Sequence, residues 1–225
     1  MSDRDFSASA GRPPSPYRSA GPRTLLESGL QSLAPALSVE ARDQLLAYLA
    51  ELQKWNAAYN LTAIRDPSEM VTKHLLDSLT LLPHVRGRVL DVGAGAGLPG
   101  IPLAIARPEL QVTVLDSNGK KARFMRHAVR TLGLANVEVA EARVEHFESA
   151  LPFDSIVSRA FAAIADFFAQ TAHLLAADGQ WVAMKGKLDA GELAAVPATV
   201  QIRETHRLRV PGLDEERHAV VAGLK

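Results

Sequence analysis

Cysteine is absent from all 225 residues. That excludes disulfides, cysteine-ligated metals and a cysteine nucleophile. Neither charge sign is in excess, since 25 Lys and Arg balance 25 Asp and Glu. Any contact with nucleic acid must therefore come from local basic patches. No stretch approaches the ~18 uninterrupted apolar residues of a membrane span. Met1 to Ala20 lacks the apolar run of a secretory signal, so a cytoplasmic location is expected. The hydrophobic share of 47% suffices for a real core in one generous domain, or in one domain with an extension.

The chain divides into three parts. Residues 1–23 are rich in Ser, Pro, Gly, Ala and Arg and read as a disordered tail carrying Arg4, Arg12, Arg18 and Arg23. Residues 24–87 read as a helical extension. Ser38 is an N-cap with Glu40 in the first turn, and Leu45, Leu46, Leu49 and Leu52 keep an apolar face. Trp55 and Tyr59, four apart, can stack on that face, and Asn60 is a helix stop. Asp66-Pro67-Ser68-Glu69 opens the next helix, with Asp as cap, Pro in the first turn and Glu returning to the cap. From Arg88 to the C-terminus strands alternate with helices, which predicts a doubly wound parallel sheet. Its strands are expected at Val89–Val92, Gln111–Leu115, Val137–Ala140, Asp154–Ser158 and Gln180–Lys185, with a helix over Ile164–Leu175. Ala198–Leu208 and His218–Ala222, joined through Pro211-Gly212, predict a final antiparallel hairpin.

The organising stretch is Asp91-Val-Gly-Ala-Gly-Ala-Gly-Leu-Pro-Gly100, between the first strand and an apolar helical run that Pro99 is placed to open. A strand turning through glycines into a helix brings bare backbone N–H groups to a ligand. Gly95 to Gly100 fits the dinucleotide pattern G-x-G-x-x-G, a weak match alone. Starting at Asp91, the run instead resembles the first motif of S-adenosylmethionine methyltransferases, through Gly93, Gly95 and Gly97. Asp91 stands at the carboxyl end of the strand, where ligands lie in open α/β sheets. A diphosphate there would repel it by roughly 1–4 kcal/mol at ~4 Å, whereas an ammonium and a sulfonium would not.

Asp116, at the end of the second strand, is placed to accept hydrogen bonds from ribose hydroxyls. Val144 and Glu145 follow the third strand, beside the expected adenine position. Ser158-Arg159-Ala160-Phe161 ends the fourth strand, a frequent catalytic position in this architecture. The Asn/Asp-Pro-Pro-aromatic run of enzymes that methylate exocyclic amines is absent there. Methylation at pyrimidine C5 needs the missing cysteine. An atom that is already nucleophilic, such as guanine N7, needs neither a base nor a covalent step, only alignment with the sulfonium methyl. Arg159 could hold a guanine edge, a phosphate or the cofactor carboxylate, or could form a strand-end salt bridge. Lys120, Lys121, Arg123, Arg126, His127 and Arg130 form a basic helix at the ligand side of the sheet. Arg65, Lys73, Lys185 and Lys187 could extend it into a phosphate-tracking patch. The predicted RNA-binding set is Arg65, Lys120, Lys121, Arg123, Arg126 and Lys185. His74, near Asp77 and Ser78, lacks the further ligands of a zinc site, and no metal is expected. Asn60, His74 and Arg159 are candidates for positioning the target; no residue is assigned a chemical step.

These pieces together resemble one family. They are Lys54-Trp-Asn-Ala-Ala-Tyr-Asn-Leu-Thr62, Asp66-Pro67, His74-Leu-Leu-Asp-Ser-Leu79, the glycine run extended to Pro102, Leu115-Asp-Ser-Asn-Gly-Lys-Lys121, Arg143-Val-Glu145 and Ser158-Arg-Ala-Phe161. The run from about Ser38 onward is similar to ribosomal small-subunit RNA methyltransferase G, also called glucose-inhibited division protein B. The resemblance implies a class I S-adenosylmethionine-dependent methyltransferase sheet with the helical extension and terminal hairpin described above. It implies methyl transfer to N7 of one guanine in the 530 loop of 16S ribosomal RNA (nucleotide 527 in the usual numbering), with S-adenosylhomocysteine as product. By the same resemblance Gly93, Leu98, Val144, Glu145 and Arg159 touch the cofactor. The partner is 16S RNA, the small subunit or its assembly intermediate, and a monomer is expected. A nicotinamide-dependent oxidoreductase, through Gly95–Gly100, and a non-catalytic RNA-binding assembly factor remain the alternatives.

Overall fold

A computed structural model describes residues 20–33, 36–159, 161 and 163–225. Arg4, Arg12 and Arg18, with the rest of the expected tail before Ala20, lie outside the described residues, as does Ala160. The first helix, α1 (Pro22–Leu33), starts two residues inside the stretch read as tail. Proline suits a first helical position, and Arg23 is tied to Asp43 at 2.7 Å.

Helix α2 (Val39–Tyr59) follows the cap signals of its sequence. The Ser38 hydroxyl accepts from the Ala41 N–H, and Asn60 closes the helix in the left-handed conformation at φ 50°. Leu45, Leu49 and Leu52 are buried, while Leu46 is only partly so. Asp66 caps α3 (Pro67–Met70) by accepting from the Glu69 N–H at 2.9 Å. The chain then widens into a π-helical turn (Val71–Leu76) before α4 (Asp77–Leu79). Periodicity does not reveal that extra residue per turn. π-Helical turns occur disproportionately at functional sites, and this one carries Lys73 and His74.

Among the described residues seven strands form one sheet in the order β3-β2-β1-β4-β5-β7-β6. Strands β1 (Arg88–Val92), β2 (Gln111–Leu115), β3 (Val137–Ala140), β4 (Phe153–Ser158) and β5 (Leu175–Lys185) run parallel. The hairpin β6 (Val200–Leu208) and β7 (Arg217–Leu224) is antiparallel and adds through β7 to β5. Helices α5 (Gly100–Ala106), α6 (Gly119–Leu132), α7 (Ile164–Thr171) and α8 (Ala190–Ala194) complete the chain. The helix expected to run to Leu175 stops at Thr171, and a 3-10 turn leads into β5. Strand β5 is longer than expected because its pairing with β4 skips from Leu175 to Gln180. Asp178-Gly179 thus makes its turn within an outward excursion of the strand rather than before it.

Two apolar layers enclose the sheet. The side-chain period of 2 sends Leu90 and Val92 toward α7, where Phe153, Phe167, Phe168 and Trp181 pack. Trp181 keeps its indole N–H satisfied by donating to the Thr171 hydroxyl at 2.8 Å. Val89 faces the other layer, where α1, α2, α5 and α6 share one continuous core with the sheet. Tyr48 is fully buried there and donates its hydroxyl proton to the Ala96 carbonyl at 2.7 Å. The helical extension is thereby bonded to the glycine turn itself.

Candidate functional site

The turn after β1 holds Gly93, Gly95 and Gly97 at φ values of 69°, 62° and 90°. At Gly95 a side chain would be strained by the backbone, yet it would project into open space, its nearest neighbour being the Gly93 carbonyl at 4.0 Å. The turn therefore presents a backbone cradle. Its opposite wall comes from β2. Asp116 accepts from the Gly95 N–H and the Asn118 N–H, both at 2.8 Å. Both of its oxygens thus have backbone donors, and Lys121 adds an ammonium at 3.5 Å. Asn118 in turn caps α6.

Asp91, expected at the ligand end of the strand, is turned inward. The strand period puts it on the Val89 face, and it is fully buried. One oxygen accepts from the Gly100 N–H at 2.7 Å, and the other has no hydrogen-bond partner. Burial pushes its pKa up to about 7, against the Gly100 hydrogen bond and the charge of Arg159. Gly100 is required because Val114 and Asp91 leave no room for a Cβ, which would stand 2.6 Å from the Val114 Cγ1. Helix α5 thus begins at Gly100, with Pro99 as its cap residue rather than its first turn. This geometry also weakens the dinucleotide reading. The N–H that would meet a diphosphate at the helix start is already held by a carboxylate. The open space of the turn lies instead at Gly95, beside Asp116.

Of the remaining predicted cofactor contacts, Leu98 and Val144 are both buried in the apolar layers. Glu145 is exposed, in the 3-10 turn after β3. Arg159 leaves the end of β4 and reaches the helical extension. It donates to the Asp77 carboxylate at 3.0 Å and to the Lys73 carbonyl at 3.4 Å. A cavity of about 320 Å³ opens there, lined by Ile64, His74, Asp77, Arg159, Lys185 and Arg217 among others. Arg217, from the start of β7, approaches the other Asp77 oxygen at 3.4 Å. Burial raises the pKa of Asp77, opposed by Arg159 and Arg217.

His74 is buried at the cavity wall. Its Nδ1 lies 3.1 Å from the Lys73 carbonyl, so Nδ1 carries the proton, and Nε2 accepts from the Thr62 hydroxyl at 2.9 Å. Burial, reinforced by Arg159, lowers its pKa to about 4. It is neutral at physiological pH, with both nitrogens engaged. Asn60 stands apart from the cavity, exposed, accepting from Arg65 at 2.9 Å. Buried Asn56 holds the intervening loop through the Thr62 N–H and the Ile64 carbonyl.

The predicted RNA-contact residues do not form one free surface. Lys121 faces Asp116, Arg126 is paired with Glu141 at 2.9 Å, and Lys185 with Glu192 at 2.8 Å. Lys120 and Arg123 are exposed. Sequence reasoning missed Tyr48 and Arg217. Tyr48 was detectable as the member of the Leu45–Leu52 face carrying a hydroxyl. Arg217 had no local signal, because only the hairpin's return beside β5 brings it to Asp77. Among the described residues no helix is long and apolar enough to cross a membrane, and no group of three or more His, Asp or Glu is arranged to hold a metal.

Comparison with known proteins adds the family. Several solved structures share the fold at low identity. One is the glycopeptide N-methyltransferase MtfA complexed with S-adenosylmethionine, with TM-score 0.57 at 11% identity over 68% of this chain and 87% of that one. Another is a SAM dependent methyltransferase from Aquifex aeolicus, with TM-score 0.54 at 19% identity over 72% and 96%. Among sequence relatives, the ribosomal RNA small subunit methyltransferase G of Methylobacillus flagellatus is 55% identical over 87% of this chain and 95% of its own. That of Chromohalobacter salexigens is 57% identical over 83% and 90%. The model of the rRNA small subunit methyltransferase G family matches residues 41–221. By this match and these relatives, the chain belongs to the rRNA small subunit methyltransferase G family.

Proposed function

We propose that the protein transfers a methyl group from S-adenosylmethionine to N7 of one guanine of 16S ribosomal RNA, in the 530 loop (nucleotide 527). The observation that carries this reading is the pairing of two neighbouring spaces. One is a glycine cradle flanked by Asp91 and Asp116; the other is a cation-lined cavity at the end of β4. In the first, Gly93, Gly95, Gly97 and Leu98 form the cradle, Asp116 is offered to the ribose, and Val144 and Glu145 flank the adenine. Asp91, buried beneath the cradle, fixes the helix start through the Gly100 N–H. When bound, the cofactor supplies an electrophilic methyl on a sulfonium.

In the second space, Arg159 and Arg217 are held by Asp77 and face an anionic or guanine-edge ligand. His74 is locked as a neutral, fully bonded ring, so it shapes the wall and moves no proton. Guanine N7 has a free lone pair and no proton to lose, so the residues present are asked only for alignment, exclusion of water and charge balance. On this reading residues 24–87 act as a cap in front of the methyltransferase domain of residues 88–225, and the protein works as a monomer without a metal.

The test is methyl transfer from tritiated S-adenosylmethionine to protein-free and ribosome-bound 16S RNA. Label in 7-methylguanine supports the reading. A protein that binds the cofactor and the RNA yet transfers nothing would instead be an assembly factor that keeps the fold.

A further inference from the structure

Tyr59 is unusual in this chain. Among the described residues the large apolar side chains exposed to solvent are Val39, Leu151 and Tyr59, the last at 39%. Its ring is not loose. It stacks on Trp55 with centroids 5.2 Å apart and planes at 29°. Trp55 is wedged in turn against Phe124 and His127 of α6, and His127 is tied to Glu51 at 2.6 Å. The ring is thus held flat on a packed support while part of it stays open to solvent, which leaves it pre-organised for a flat partner.

Its surroundings are cationic. Helix α6 sorts its basic residues by face. Lys121 and Arg126 turn to Asp116 and Glu141. Lys120, Arg123, His127 and Arg130 recur at intervals of three and four, so they share the face that meets Trp55. Lys120, Arg123 and Arg130 have no acidic partner among the described residues. From Tyr59 the chain runs through the Asn56-braced loop to Ile64, which lines the cavity. Five residues span at most about 17 Å. Tyr59 therefore lies within that reach of the cavity wall, and through Trp55 it adjoins the helix that carries the basic face.

We propose that Tyr59 is a stacking platform for an unpaired RNA base next to the target nucleotide, with the strand's phosphates following Lys120, Arg123 and Arg130. An aromatic face beside a cationic track is what a single strand recognises, because every base has a π-face and every linkage a negative charge. The proposal rests on the RNA methyltransferase reading and adds a specific contact to it.

Filter binding of protein-free 16S transcript and of small-subunit particles at several salt concentrations tests it, with cofactor affinity and thermal stability measured on each variant. Tyr59→Leu, which keeps apolar bulk but loses the ring, is expected to weaken RNA binding about tenfold without changing the salt slope. Tyr59→Phe is expected to bind within about twofold of the original, since the ring and not the hydroxyl is used. Lys120→Ala with Arg123→Ala is expected to lower the salt slope by about 1.4. Wild-type affinity in Tyr59→Leu, or equal weakening in Tyr59→Phe, overturns the stacking role. Methyl transfer to the same RNA separates the two ideas. RNA binding without transfer to either form by the unaltered protein overturns the enzymatic reading alone, and no binding by that protein to either form overturns both.

Discussion

Replacing Tyr48 by Phe tests whether the helical extension sets the glycine turn. The substitution removes one hydroxyl from a fully buried site and leaves the ring packed near Phe124 at 6.2 Å. What is lost is the 2.7 Å hydrogen bond to the Ala96 carbonyl, which then stays buried without that donor. An unsatisfied buried acceptor costs about 1–3 kcal/mol. For a chain of this size each kcal/mol lowers Tm by roughly 2–4 °C, so a fall of about 5 °C is expected. The bond also holds the peptide between Gly95 and Gly97, so affinity for S-adenosylmethionine should drop several-fold in isothermal titration. Thr171→Val is the control. It strips the Trp181 indole of its acceptor in the opposite apolar layer, and should lower Tm by a similar amount with cofactor affinity unchanged. A Tyr48→Phe protein with unaltered Tm and affinity would refute the tether. Equal losses of affinity in both variants would mean that the turn senses only global stability.

Gly95→Asp should abolish cofactor binding, because its side chain enters the open cradle near Asp91 and Asp116; Tm should fall only a few degrees, since left-handed backbone costs a non-glycine residue about 1–2 kcal/mol. Unchanged titration of cofactor into that variant would misplace the cradle. The pH dependence of stability should carry the mark of His74. Its folded pKa of about 4 lies below the ordinary 6.5, so protonation favours the unfolded chain. Its contribution is complete above pH 6.5 and is lost as pH falls toward 4, amounting to about 2 kcal/mol by pH 5. Urea denaturation at pH 7.5 and 5, with His74→Gln as reference, measures it. Equal pH slopes in the two proteins would contradict the buried neutral imidazole.

The elements that local chemistry dictates were legible before any coordinates. Ser38, Asn60 and Asp66 each take the capping role their residue type favours, and the strand pattern from Arg88 onward yields the parallel sheet and terminal hairpin. Features arising from tertiary crowding were not. The π-helical turn at Val71–Leu76 has no periodic signature distinct from a helix. Asp91 reads as a group at the ligand end of the strand, and only the pleat shows it turned inward beneath α5. The pairing of basic residues was equally hidden. Lys121, Arg126 and Lys185 look like free cations in the sequence, and their partners Asp116, Glu141 and Glu192 come from other elements. Arg217 enters the cavity from a strand more than fifty residues after Arg159.

The most direct measurement is mass spectrometry of 16S RNA from cells with and without this protein. The account predicts one 7-methylguanosine in the 530 loop that disappears when the protein is removed and returns with the intact chain but not with Gly95→Asp. An unchanged methylation pattern, or loss of a methyl group at an atom other than guanine N7, would contradict it.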